Sequence, residues 1–150
     1  MRTLVWRRLD EPGMEIVRFD APDRVEGTQI GSAYEVRWRL EGSSLELEVV
    51  GGRREKVELG DADFFDVLNS PYFNSLPVWK DGLLAAAAAA HEYTMRFVVV
   101  PDLTTSLSAQ RYEPLDAHTI RFRSASFEAD IEFDADGFVT LYHGYLERIT

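Results

Sequence analysis

The sequence predicts a mainly β fold, α+β in class: a many-stranded, antiparallel, curved sheet wrapped around one principal helix. Three observations carry this reading. Apolar and charged residues alternate with period two over most of the chain, the pattern of half-buried strands. Short Gly- and Asp-rich turns separate the alternating runs. One stretch, Asp66–Trp79 (DVLNSPYFNSLPVW), breaks the alternation with Asn, Pro and aromatic residues, yet is too apolar to lie on the surface.

Taken in order, Thr3–Leu9 and Met14–Phe19 fit strands. Tyr34, Val36, Trp38 and Leu40 then share one face against Glu35, Arg37, Arg39 and Glu41. After Gly42-Ser43-Ser44, residues Leu45, Leu47 and Val49 repeat the pattern. Gly51-Gly52 reads as a hairpin turn into a strand that ends near Leu59, with the basic cluster Arg53-Arg54-Glu55-Lys56 as its solvated flank. Tyr93–Val99, Ile120–Phe122 and Phe127–Phe133 alternate again. Asp134-Ala135-Asp136-Gly137 turns the chain into a last strand near Phe138–Tyr142. About nine strands result, antiparallel, with one face buried. The principal helix is placed at Asp61–Asn69 and extends toward Ser75, with Asp61 or Asp63 as N-cap and Pro71 as its stop. Leu83–Ala90 reads either as a short helical or irregular insertion or as a strand edge; its alanines favour helix, but the run is short. Within Asp66–Trp79, Phe73 and Leu76 are expected in the core, as are Phe65 and Leu68.

Composition narrows the function. The chain has 150 residues, 45% of them hydrophobic and 28% charged, so residues 1–150 are expected to form one globular domain. Its formal net charge of -10 argues against nucleic-acid partners and against docking on anionic membranes. No apolar run is long enough to span a bilayer and the N-terminus lacks a signal-peptide pattern, so a cytoplasmic protein, not membrane-embedded, is expected. The absence of cysteine removes disulfides, thiolate catalysis and Cys-based zinc sites, and fits a reducing compartment.

No catalytic, cofactor or metal signature stands out. His91, His118 and His143 have no metal-ligand spacing, and Asp134–Gly137 lacks the downstream Glu of a calcium loop. Asp61 and Asp63 suit helix capping. A carboxylate pair for enzyme chemistry, Asp63 or Asp66 with Glu128 or Asp130, is an alternative that strand alternation disfavours, since it puts Glu128 and Asp130 on the polar face. Aromatic residues make up 12% of the chain, which fits either a large aromatic core or a ring-lined cavity for an amphipathic ligand. Candidate ligand contacts are Tyr72, Phe73, Asn74, Trp79, Gln110, Tyr112 and His143. The bland role for Asn74 and Gln110 is to bond backbone left unpaired near Pro71, Pro77 and Pro101.

The string Phe65-Asp66-Val67, followed by Ser70–Val78 (SPYFNSLPV), resembles a motif of the bacterial glycolipid-binding family. Further elements follow in the family's order: Phe97–Leu103 (FVVVPDL), Gln110-Arg111-Tyr112, Asp134–Val139 (DADGFV), Tyr142 with Gly144, and Arg148. The ordered set is specific where no single element is. The resemblance implies a spiral β-roll, a homodimer and a carrier or binding role for a glycolipid-like molecule without a cofactor. A homodimeric interaction protein with no small ligand is the other reading. The chain departs from the family's pattern at Tyr72, where Phe is usual, and at Trp79-Lys80, in place of a basic pair. It also has a longer alanine run, and His143 in place of a proline.

Overall fold

The computed structural model describes residues 1–85 and 89–150. Among the described residues, thirteen strands form one sheet around one helix. The first six are β1 (Arg2–Arg8), β2 (Gly13–Ala21), β3 (Arg24–Gly31), β4 (Glu35–Glu41), β5 (Ser44–Val49) and β6 (Arg54–Glu58). After β7 (Phe64–Val67) comes α1 (Pro71–Asp81). The rest are β8 (His91–Val99), β9 (Thr104–Pro114), β10 (Thr119–Ser124), β11 (Phe127–Phe133), β12 (Val139–Tyr142) and β13 (Leu146–Arg148).

In space the order is β6-β5-β4-β3-β2-β1-β13-β12-β11-β10-β9-β8-β7. The fold is therefore two meanders joined where the first and last strands pair, Trp6 opposite Arg148. The passage from β6 to β7 carries the chain from one sheet edge to the other. The sheet curls enough for Arg53, beside β6, to donate to the Asp102 carbonyl between β8 and β9 at 3.2 Å. This curled, mainly β architecture is the spiral β-roll anticipated above.

Helix α1 fills the roll. Every residue from Pro71 to Val78 is buried, so the helix has no solvent face over most of its length. Tyr72 and Phe73 pack against Trp38, Phe19 and Phe138, the Trp38–Phe73 centroids lying 4.8 Å apart. That burial outweighs the roughly 3 kcal/mol cost of a proline inside a helix, here Pro77. The Ser75 hydroxyl donates to the Pro71 carbonyl at 3.1 Å and accepts from the Val139 N–H at 3.0 Å, tying helix to sheet.

The helix is where the sequence reading errs. Asp61–Asn69 is not helical: Phe64–Val67 is a strand, and Pro71 begins the helix instead of ending one. Proline at the first helical position lacks only a donor that would be unpaired anyway, and its φ is already helical. Phe-Phe-Asp-Val suits a short buried strand better than a helix of fewer than three turns. This strand also breaks the antiparallel rule, since β7 pairs with β8 in parallel. Phe65, Phe73 and Leu76 are buried as expected, whereas Leu68 is half-buried.

Four strands go unread: β3, β7, β9 and β13. In β3 the inward positions are Val25, Gly27 and Gln29, so the apolar signal is lost. Gly27 is required there because a Cβ would sit 2.2 Å from the Trp38 indole. The first half of β9, Thr104–Leu107, is exposed on both faces. The strand readings around Gly51-Gly52 and Asp134–Gly137 hold: Asp134 Oδ1 accepts from the Asp136 and Phe138 N–H groups, closing the second turn. Of Leu83–Ala90, Leu83 is buried in a turn after Gly82 and Ala85 lies in a bend; residues 86–88 lie outside the described residues.

Candidate ligand cleft

The most apolar opening among the described residues is a cleft of about 570 Å³ between β7, the start of α1 and strands β9–β12. Its wall is aromatic. Phe97, Phe122, Phe127, Tyr142 and Tyr145 line it, and Tyr142 meets Tyr145 edge-on at 4.9 Å. Its floor is polar: Asp66, Ser70, Asn74 and Gln110 are all buried. Among the described residues, no lysine or arginine lines it.

Asp66 reaches the floor because β7 is enclosed, with β8 beside it and the helix following directly. The Gln110 Nε2 donates to Asp66 Oδ2 at 2.8 Å and lies 3.4 Å from Ser108 Oγ. That fixes the amide's orientation and leaves Gln110 Oε1, enclosed, with no partner among the described residues. Burial raises the Asp66 carboxyl to about 6, against the lowering effects of the Gln110 amide and the Val67 N–H. Tyr112, Tyr142 and Tyr145 are pushed up too, chiefly by burial, so they remain neutral hydroxyls.

At the mouth, Phe127 is 49% exposed. His143 sits there with its Nε2 2.7 Å from Glu132 Oε2. The rim acids are engaged: Asp10 by Arg8 at 2.8 Å, and Glu128 by Arg123 at 2.7 Å and Arg121 at 3.5 Å. Asp130 pairs with Arg121, and Asp63 accepts from the Thr94 N–H. Of the proposed carboxylate pairs, only Asp66 and Glu128 reach this cleft, one on its floor and one on its rim.

Of the predicted contacts, the fold brings Asn74, Gln110 and His143 together around the cleft. Tyr72, Phe73 and Tyr112 are core residues with no exposure. Tyr72 donates its hydroxyl to the Pro22 carbonyl at 2.7 Å, and Tyr112 accepts from Asn74 Nδ2 at 3.3 Å. Trp79 lies at the helix end, 40% exposed and away from the lining. The expectation that Asn74 and Gln110 bond backbone is corrected: both bond side chains.

Sequence reasoning missed Glu15. It lies fully buried on β2, accepting from Ser70 Oγ at 2.5 Å, from Trp38 Nε1 at 3.1 Å and from the Tyr72 backbone N–H. Ser70 is the N-cap residue of α1 but makes no cap bond itself. Glu15 takes that role from across the core, placing a carboxyl at the helix N-terminus, where the unpaired N–H groups favour one. Burial nevertheless raises Glu15 to about 7. Beside it, Asn69 Nδ2 donates to the Tyr34 hydroxyl at 3.4 Å and the Tyr34 hydroxyl to Gln29 Oε1 at 2.5 Å. The Tyr145 hydroxyl donates to Asn69 Oδ1, so this chain of side chains runs from the cleft wall into the core.

A sheet of this kind, wound around one helix with a cleft on one flank, defines a β-roll protein. Residues 35–148 match the family described as "Putative glycolipid-binding", and the chain belongs to it. No curated protein matches. A solved structure, a DUF1089 family protein from Pseudomonas aeruginosa, superimposes with a TM-score of 0.74 over 96% of this chain and 95% of that one. At 22% identity, that likeness speaks for the fold. Among the described residues, no helix is long and apolar enough to cross a membrane.

Proposed function

We propose that the chain, as one domain, is a non-enzymatic binding or carrier module for an uncharged amphipathic molecule of glycolipid type. The observation that carries this reading is the cleft itself: aromatic walls, a buried polar floor and, among the described residues, no lysine or arginine lining it. Apolar clefts of several hundred Å³ with a few convergent polar groups are the usual form of small-molecule sites. Without a cation to pair it, a phosphate or carboxylate head would be desolvated at high cost. The floor offers one carboxyl, Asp66, while Glu128 is held at the rim by arginines, an arrangement that suits holding a ligand better than acid–base chemistry. Asn74, Gln110 and His143 are the ligand contacts in this reading, and Tyr72, Phe73 and Tyr112 support the floor from the core. A cytoplasmic homodimer fits the family resemblance and the absence of cysteine.

Extraction of natively purified protein into organic solvent, followed by lipid mass spectrometry, tests the reading. Recovery of a stoichiometric neutral amphiphile is expected. Recovery of none, with no binding of alkyl glucosides or alkanols by native mass spectrometry, would overturn it.

A further inference from the structure

The cleft is polar at its floor, aromatic along its walls and mixed at its mouth, where Asp10, Glu128 and His143 surround an exposed ring. The deep end holds Asp66 and Gln110, 8% and 4% exposed, with Ser108 beside them; the mouth holds the ring of Phe127. The buried floor offers hydrogen-bond partners to a polar head, and the exposed Phe127 ring offers an alkyl chain a contact at the mouth.

The buried amide adds a specific demand. Gln110 Oε1 is an acceptor removed from water and without a partner, a state that costs about 1–3 kcal/mol unless something donates to it. Its sister nitrogen donates to Asp66, and turning the amide over would give up that bond. Two neighbouring hydroxyls meet both groups, one donating to the Gln110 oxygen and the other accepting a hydrogen bond from a neutral Asp66 carboxyl.

We propose that the cleft takes its ligand head first: paired hydroxyls of a neutral sugar-like head bond Gln110 Oε1 and the Asp66 carboxyl, and the alkyl part lies against Phe127 at the mouth. This rests on the cleft-binding reading above and adds the direction of binding and the residues that read the head. The groups that face Asp66 leave its carboxyl as the floor's switchable member. They are the hydroxyls of Tyr112 on β9, Tyr142 on β12 and Tyr145 in the following turn, with Asn74 on α1 and Phe97 on β8 also close by. The other titratable side chains of the lining, Asp10, Glu128 and His143, stand at the rim.

The test compares n-octyl β-D-glucoside, below its micellar concentration, with 1-octanol and octyl sulfate at pH 5. Titration is followed through the ¹⁵N-resolved side-chain amide of Gln110. The glucoside should bind about tenfold or more tightly than octanol and shift that amide, which octanol leaves in place; the sulfate should not bind. Gln110→Met should reduce the glucoside to octanol's affinity. Because that variant also unpairs Asp66 and is at risk of misfolding, the amide shift in the unaltered protein stands as a second readout. Glucoside binding no tighter than octanol, with an unmoved Gln110 amide, would overturn head-first entry and leave the cleft reading intact. Failure of both probes to bind would overturn both.

Discussion

Glu15 and Asp66 are acids enclosed by the same roll, and burial raises both carboxyls well above the ordinary range. Their surroundings differ in what is left over. Around Glu15 the donors converge: a serine hydroxyl, an indole N–H and a helix N–H all point at one carboxyl. Around Asp66 the donors run short, with one amide and one backbone N–H, and the partner amide is itself left with an idle oxygen. A buried polar network that is fully satisfied fixes one arrangement of a core, whereas a half-satisfied one costs stability and persists where a ligand completes it. The comparison separates an acid that holds the fold from an acid that waits at a site.

The difference can be broken first at Glu15. Glu15→Ala strands the Trp38 indole, the Ser70 hydroxyl and the Tyr72 N–H, so it should cost about 3–5 kcal/mol in urea unfolding. Phe73→Ala, which empties a ring from the same helix–Trp38 contact, provides a yardstick of similar size, about 3–5 kcal/mol. A loss below about 1 kcal/mol for Glu15→Ala would mean that the donors find other acceptors and that Glu15 does not cap the helix.

Next in size is the response to pH. In the folded chain both carboxyls keep a proton to a pH at which the unfolded chain has already lost it. The folded state therefore binds more protons, and stability falls as pH rises, from 3.8 to about 6 for Asp66 and from 4.5 to about 7 for Glu15. The loss is on the order of 2–3 kcal/mol per group. Asp10, Asp130 and Asp134 act the opposite way, since arginine partners hold them below the usual carboxylate range, and their contribution is lost on acidification. Unfolding free energy should thus peak on the acid side of neutrality and drop toward pH 8. A flat profile from pH 5 to 8 would show that both carboxyls are ionised throughout.

Legibility in the sequence follows the same division. The strands around Tyr34–Val49 and Phe127–Phe133 could be read because each inward position is apolar and each outward one charged or small. Strand β3 could not, because Gly27 stands where the Trp38 indole needs room and Gln29 turns inward to donate to the Leu68 carbonyl. The helix was displaced in the reading because Pro71 marks both ends and starts equally well, and only the parallel pairing of Phe64–Val67 with β8 decides between them. At the site, Asn74, Gln110 and His143 were legible as polar residues amid aromatics or beside Gly144. Glu15 was not, since a lone Glu between Met14 and Ile16 has the alternation of an outward residue. Its inward partners, Trp38 and Ser70, lie 23 and 55 residues away. A hint existed in Val17 and Phe19, which share Glu15's face.

The smallest effect separates the two acids most clearly. Glu15→Gln and Asp66→Asn each replace a carboxyl with an amide of the same shape, so packing is held constant and only hydrogen-bond chemistry changes. At Glu15 the new NH₂ must face a donor. The Ser70 hydroxyl can turn to accept, but the Trp38 indole and the Tyr72 N–H cannot, and a loss of about 1–2 kcal/mol is expected at pH 5. At Asp66 the new NH₂ meets a different neighbourhood: its oxygen can keep the Gln110 donor, and its nitrogen can serve the idle Gln110 oxygen. Asp66→Asn should therefore be neutral within about 0.5 kcal/mol at pH 5. At pH 8, where the original chain carries a buried carboxylate, the same change should stabilise the fold by about 1 kcal/mol. Paired urea titrations at the two pH values read all three numbers. If Asp66→Asn destabilises at pH 8 as much as Glu15→Gln does at pH 5, Asp66 is a structural acid like Glu15 and the idle amide oxygen has a partner that the folded chain supplies by itself.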